Sequence, residues 1–324
     1  MIPSRGVLLG LVLLLAPAVR AADTSAGWLK DPHGPVLGGK LGTCFDVAVL
    51  RDADTYRMYF SWRPKKSVEL VESKDGVHWS TPLIVLSPNQ STDWEQDINR
   101  PAVVKMEDEY HMWYTGQARG HSWIGHAVSS DGKSWKRTGE KPVLSPDQPW
   151  EKVAVMCPDV IWDAQLKTFR MWYSGGDQYE PDAIGYATSP DGIQWRKHDP
   201  NPIFTADPAH AWERFKVTAC QVVPHDQWFY MFYIGFRDIN HAQIGLARSR
   251  DGIGNWERLG NNPIIRPTVG GWDADACYKP FAIYDDKDRR WMLWYNGRRG
   301  SVEQIGLATH EGEELWTPAA THEH

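Results

Sequence analysis

The chain has 324 residues, 42% hydrophobic and 23% charged, with Gly 28 and Pro 22. These values describe a globular protein and exclude disorder, collagen and coiled coil. A net charge of -6 leaves no excess of Lys and Arg to neutralise a phosphate backbone, so nucleic acid is excluded as a partner. The unusual feature is aromatic: Trp 18, Tyr 12 and Phe 9, a load favoured by half-buried strands and by carbohydrate-binding surfaces.

Reading from the N-terminus, Arg5 precedes an apolar run from Gly6 to Ala16, then Val19-Arg20-Ala21-Ala22. This is the order of a secretory signal peptide cleaved near Ala21. Residues 1-21 are therefore expected to be removed and residues 22-324 to form one domain, secreted or periplasmic, with no membrane association after cleavage. No later run is long enough to span a bilayer.

A repeat follows. Asp75-Gly76, Asp131-Gly132, Asp191-Gly192 and Asp251-Gly252 are each followed by a Trp (Trp79, Trp135, Trp195, Trp256), with a degenerate copy at Gly312 and Trp316. Asp-Gly between apolar runs marks a hairpin turn. Ahead of four copies lie Ile124-Gly125, Ile184-Gly185, Ile244-Gly245 and Ile305-Gly306, with Val68 to Val71 as the divergent first. Further upstream come Met58-Tyr59, Met112-Trp113, Met171-Trp172, Met231-Phe232 and Leu293-Trp294, and then one more strand in each. Each repeat thus predicts four strands. Trp135, Trp195 and Trp256 lead after seven residues to Pro142, Pro202 and Pro263, and Trp28 leads to Pro35 at the same spacing. The N-terminal piece therefore reads as a fourth strand lacking its first three, and the last repeat as three strands lacking a fourth. The expected fold is all-β: a five-bladed β-propeller of four-stranded blades, its ring closed by the N-terminal strand.

Features that recur in every repeat read as scaffold. That applies to the turns and to the pairs Trp94-Glu95, Trp150-Glu151, Trp212-Glu213 and Trp272-Asp273, with Glu213 alone retained as a substrate-binding candidate. Features that deviate read as site. Aligning the first strands on Val47, Val103, Val160, Val222 and Ala282 makes the preceding residues Asp46, Ala102, Asp159, Gln221 and Phe281. Two carboxylates then stand where other blades carry neutral groups, on the face where the second-strand loops converge. Asp46 and Asp159 are the leading catalytic candidates, with Asp97 as a third. Arg100, Lys279 and Asp275 lie close by in sequence, and Arg63, Arg237, Arg298, Trp62 and His121 on the loops complete a substrate-binding set. The competing reading of Asp46 and Asp159 is an ion pair with Arg100 or Lys279 that ties blades together.

With these residues in place, the mature chain resembles the five-bladed propeller glycosidases, the broad group of glycoside hydrolase families 43, 32, 117 and 130. Asp46 is similar to the general base at the start of the first blade in family 43. Cys157-Pro158-Asp159-Val160 is similar to that family's Pro-Asp-Val element but falls in the third blade, and no Glu-Gly-Pro or Glu-Cys-Pro element is present. Asn99-Arg100-Pro101 and Tyr278-Lys279-Pro280 are closer to family 130. The resemblance implies a hydrolase acting on an oligosaccharide or polysaccharide, with Asp46 as base and Asp159 as the residue that tunes pKa values, and it carries over no acid. The chemistry of hydrolysis with inversion, which needs a second carboxyl, independently offers Asp97 or Asp159 as acid. Phosphorolysis on the same fold, or a non-catalytic sugar-binding propeller, are the alternatives. No cofactor is read from the sequence, and the axial calcium of some relatives leaves no signal in it. Cys44, Cys157, Cys220 and Cys277 match no metal spacing and are expected as buried thiols.

Overall fold

The computed structural model describes residues 23–177, 179 and 181–316; the expected signal peptide lies outside them. The chain starts with β1 (Trp28–Lys30). It continues through β2 (Cys44–Asp52), β3 (Thr55–Trp62), β4 (Ser67–Ser73) and β5 (Leu83–Leu86), then β6 (Asp97–Lys105), β7 (Tyr110–Ala118), β8 (His121–Ser129) and β9 (Lys136–Arg137). Next come β10 (Ala154–Asp163), β11 (Thr168–Gly176), β12 (Ala183–Ser189), β13 (Arg196–Lys197) and β14 (Phe204–Thr205). They are followed by β15 (Lys216–His225), β16 (Trp228–Asp238), β17 (His241–Ser249) and β18 (Glu257–Arg258). β19 (Ala276–Asp285), β20 (Arg290–Arg299) and β21 (Val302–Glu311) complete the strands.

Three sheets have the hydrogen-bonded orders β2-β3-β4-β5, β15-β16-β17-β18 and β1-β21-β20-β19. The remaining strands form a longer sheet whose halves, β6 to β9 and β10 to β14, repeat the same antiparallel pattern and meet at one parallel bridge, Ala154 with Ser122. These groups are called units one to five in chain order of their first strand. As expected, the N-terminal strand is the outer strand of the last unit, with Trp28 opposite His310 and Lys30 opposite Ala308. Successive units share buried clusters. The first and last also share one, in which Val49, Met58 and Phe60 pack with Met292, Trp294 and Ile305.

The repeated residues do scaffold work. In each Asp-Gly turn the Asp carboxylate accepts backbone N–H groups two and three residues on, as Asp131 does from Lys133 and Ser134 at 2.7 Å each. The Gly adopts the left-handed φ of 71–74° that an L side chain resists. The turn's carbonyl is then held by the preceding unit. Tyr59 donates to Gly132, Trp113 to Gly192, Trp172 to Gly252 and Trp294, from the last unit, to Gly76 of the first, at 2.8–2.9 Å.

The Trp-acid pairs form a second repeated device. Glu95, Glu151, Glu213 and Asp273 are fully buried. Each accepts a hydrogen bond from a second-strand tyrosine (Tyr114, Tyr173, Tyr233, Tyr295) and one from an outer-strand cation (Arg137, Lys197, Arg258, Lys30). A buried carboxylate persists only with such partners. The Trp of each pair lies against two glycines of its unit: a Cβ on Gly116 or Gly125 would come within 2.4–2.5 Å of the Trp94 ring, and the other three units repeat this. Unit one lacks the pair, and consistently carries Phe60 in place of the tyrosine and Trp62 and Glu69 in place of the two glycines.

Lys30 is the cation that β1 brings to Asp273, at 2.7 Å. Lys30→Met is expected to lower unfolding free energy by about 3 kcal/mol, the cost of stranding a buried charge. Deleting residues 23–38 should abolish cooperative melting. Calorimetry on both variants checks this, and an unchanged melting curve for the deletion would defeat the role of β1.

Candidate active site

The first strands β2, β6, β10, β15 and β19 each carry a bulge: the pairing register shifts between Phe45 and Ala48, Asn99 and Ala102, Met156 and Asp159, Thr218 and Cys220, and Tyr278 and Phe281. Within each bulge one non-glycine residue has left-handed φ: Asp46 at 55°, Arg100 at 55°, Cys157 at 52°, Ala219 at 37° and Lys279 at 52°. Such a conformation costs about 1–3 kcal/mol and persists only where the surroundings enforce it. Here a neighbour does. The Asp46 amide donates to Asn296, Arg100 to Ser61, Cys157 to Thr115 and Ala219 to Ser174, at 2.8–3.1 Å, each acceptor sitting on the second strand of the adjoining unit. At the fifth position the corresponding residue is Ile234, which has no acceptor.

This corrects the alignment drawn from sequence. Ala48, Ala102, Asp159, Gln221 and Phe281 are the residues paired with Tyr59, Trp113, Trp172, Phe232 and Trp294. Asp46 therefore belongs with Arg100, Cys157, Ala219 and Lys279, one tier above Asp159. Both tiers line one axial cavity, which Asp46, Arg100, Cys157, Asp159, Gln221 and Lys279 share.

In the upper tier, Asp46 is buried between two cations, with Lys279 Nζ 3.6 Å from Oδ1 and Arg100 Nε 3.8 Å from Oδ2. Ser61 Oγ lies 3.5 Å from Oδ2. Oδ1 is buried and has no hydrogen-bond partner among the described residues. Lys279 Nζ also lies 3.2 Å from the Cys157 thiol. In the lower tier, Asp159 Oδ2 accepts the Val222 amide at 2.8 Å. Gln221 makes the matching contact one unit on, accepting the Ala282 amide at 2.6 Å and donating to its carbonyl at 2.9 Å. Asp159 thus takes part in a tie between first strands, and burial pushes its carboxyl up to about 7 against the pull of the Val222 amide. The two cavity carboxyls are held in different electrostatic settings, one beside two cations and one desolvated.

The other predicted residues separate. Asp97 is half-exposed and paired with Lys66 at 2.9 Å in a side cleft, outside the axial cavity. Arg63 and Trp62 line that cleft too. Asp275 is exposed and accepts the Gly300 amide. Arg237 pairs with Asp238 at 3.1 Å, Arg298 donates to the Asn240 carbonyl at 3.0 Å, and His121 stacks on Trp123 with ring centres 5.7 Å apart. Glu213 takes the same place as Glu95, Glu151 and Asp273, tied to Tyr233 and Arg258 rather than lining the cavity. One acid was missed: Glu303, buried on β21, pairs with Arg63 at 3.1 Å. Burial and the Asp46 charge raise its pKa, against a Tyr278 hydrogen bond and the Arg63 charge. The position alone did not single it out, since the residue two before the Ile of the Ile-Gly strand is Ser122, Asp182 and Ala242 in other units, one of them also an acid. Cys44, Cys157, Cys220 and Cys277 are free thiols, three of them buried.

A five-strand cavity with two carboxyls at different tiers is where comparison with known proteins becomes informative. Residues 22–240 match the profile of the glycosyl hydrolases family 32 N-terminal domain. The chain belongs to this family. A similar chain is an uncharacterized protein of Mycobacterium tuberculosis, 30% identical over 88% of this chain and 98% of that one. A 1,2-β-oligomannan phosphorylase of Thermoanaerobacter is 34% identical over 39% of this chain and 44% of its own length. An A type blood N-acetyl-α-D-galactosamine deacetylase of Flavonifractor plautii is 29% identical over 82% of this chain and 41% of its own. Among solved structures, one described as a glycoside hydrolase superposes with a TM-score of 0.71 at 18% identity, covering 91% of this chain and 96% of that one. A thermostable family-43 glycoside hydrolase gives 0.68 at 16% identity, over 86% and 91%. The fold is that of the propeller glycosidases.

Asp159 stability should carry a pH signature. A carboxyl whose folded pKa is raised to about 7 binds a proton on folding between its unfolded value near 4 and 7, so it costs stability as pH rises through that window. Asp159→Asn keeps an oxygen for the Val222 amide and removes the cost. The melting temperature of the variant minus that of wild type should be larger at pH 8 than at pH 5, and a difference independent of pH would contradict the raised pKa.

Proposed function

We propose that the protein is a secreted inverting glycoside hydrolase acting on a neutral oligosaccharide or polysaccharide, with units one to five as the blades of a ring closed by β1. The observation that carries this reading is the pair of carboxyls lining one cavity in opposed settings. Asp46, flanked by Lys279 and Arg100, is the base that takes a proton from water. Asp159, desolvated and near neutral pKa, is the acid that protonates the leaving oxygen. Such a division of roles between two carboxyl groups is what hydrolysis with inversion requires. A non-catalytic binder has no use for two carboxyls in one cavity.

The substrate is read as neutral because four loop cations are matched by acids, Arg63 by Glu303, Lys66 by Asp97, Arg119 by Asp93 and Arg237 by Asp238, while Arg298 is engaged by the Asn240 carbonyl. The phosphorylase names among the relatives make β-1,2-linked mannosides the first glycosides to assay, alongside plant and algal oligosaccharides. Phosphorolysis is the second reading, favoured by Lys279 and Arg100 at the cavity wall, where phosphate would replace water as nucleophile.

Asp46→Asn should reduce kcat by a factor of about 100 or more while melting near wild type, since its cation contacts of 3.6 and 3.8 Å are longer than hydrogen bonds. An unstable but active variant would sink the assignment. Raising salt should leave KM unchanged for a neutral sugar, and a sugar 1-phosphate formed only with added inorganic phosphate would replace hydrolysis by phosphorolysis.

A further inference from the structure

At the end of each first strand remote from the axial cavity, one residue pairs with the first residue of the second strand: Asp52, Lys105, Asp163, His225 and Asp285 in units one to five. The three acids have partners within the fold. Asp52 takes the Lys105 ammonium and the Tyr110 hydroxyl of unit two at 2.7 Å each. Asp285 takes Arg51 of unit one at 2.6 Å and the Tyr56 hydroxyl, and Asp163 pairs with Arg170 at 3.4 Å. Unit four departs from this pattern. It carries an imidazole where three units carry a carboxylate, and the next unit presents Trp291 at the position of Tyr56 and Tyr110.

Trp291 holds both halves of a small site. Its ring lies edge-on to the His225 ring, with centres 5.0 Å apart and planes at 71°, and its Nε1–H donates to the Glu313 carbonyl at 3.0 Å. Tyr284 and Tyr230 flank the same imidazole at 5.5 and 6.4 Å. The ring is thereby fixed with Nε2 buried, lacking a hydrogen-bond partner among the described residues, and 3.4 Å from Glu313 Oε1. That separation exceeds a normal hydrogen bond. It matches the edge of a coordination tetrahedron, since two ligand atoms about 2.0–2.1 Å from one zinc ion stand about 3.3 Å apart. Asp226, the next residue in the turn, brings a third ligand atom, and the three lie within 4.8 Å of one another. Neighbouring Glu314 is otherwise engaged, accepting the Trp316 amide at 2.7 Å.

We propose that His225 Nε2 and the carboxylates of Asp226 and Glu313 bind one zinc ion, with water completing its shell, and that the ion staples the chain beyond β21 to the β15–β16 turn of unit four. One imidazole nitrogen with two carboxylate oxygens suits zinc, whereas calcium and magnesium take oxygen ligands. The site lies at the opposite end of β15 from the axial cavity and is independent of the hydrolase reading.

The test titrates zinc into the metal-free full chain carrying His322→Ala and His324→Ala, which removes the terminal histidines as competing ligands. One equivalent should bind, measured by calorimetry. Free zinc at about 100 times its dissociation constant should raise the melting temperature by about 4 °C, and calcium or magnesium should not. In the same background His225→Phe, which keeps a ring among the three aromatics, and Glu313→Ala, at an exposed position, should each lower zinc affinity about 100-fold or more. If His225→Phe does not fold, Glu313→Ala carries the comparison. A chain that binds no zinc, that prefers calcium, or whose zinc affinity Glu313→Ala leaves unchanged overturns the site.

Discussion

The strained bulge on each first strand, and the neighbour that holds it, organise the molecule. At Asp46, Arg100, Cys157 and Ala219 the chain takes a left-handed turn that L residues resist, and in each case the amide is caught by a side chain from the adjoining unit. One hydrogen bond thus does two things. It joins two units near the axis, and it turns the bulged side chain towards the cavity. Were the bulge to relax to regular pairing, a one-residue slip would send that side chain to the opposite face.

Further out, the same pairs of units are joined by the ring N–H or hydroxyl of Tyr59, Trp113, Trp172 and Trp294 to a turn carbonyl. Unit four lacks both devices, having Phe232 and Ile234 where the others carry a donor and an acceptor. Its junction with unit five has apolar packing, with the Trp28 of β1 edge-on to Phe232 at 5.9 Å, the Gln221 clasp on Ala282, the Arg298 hydrogen bond to the Asn240 carbonyl and the Ser25 hydroxyl on the Asn261 and Pro263 carbonyls. The N-terminal strand arrives at this junction, and its Lys30 neutralises a carboxylate that no other cation reaches in the described contacts.

Unit one is the exception on which the site depends. It dispenses with the buried Trp-acid pair, and the space and groups released are used differently: Trp62 borders the side cleft, Asp46 enters the cavity, and Glu69 is a buried carboxyl whose pKa burial raises to about 8. Every unit contributes to the cavity wall, and the irregular one contributes Asp46. This is the sense in which repetition identifies scaffold and departure identifies chemistry.

How much of this was legible beforehand follows from what each signal encodes. The four-strand repeat, the Asp-Gly hairpins, the scaffold role of the Trp-acid pairs and the role of Trp28 as an outer strand could all be read from spacing. Periodicity and turn chemistry are local properties of the chain, and Asp46 as a candidate came from the same reading. The pairing of Asp46 with the tier of Arg100, Cys157 and Lys279 could not be read, because a bulge inserts a residue that spacing does not reveal and strand register is set by the partner strand. The outward pairing of Asp97 with Lys66, the tie of Asp159 to Val222 and the nearness of Glu303 to Asp46 likewise join residues 31, 63 and 257 apart in the chain. Contacts at such separations, and the burial that raises a carboxyl's pKa, exist only once the units are packed side by side.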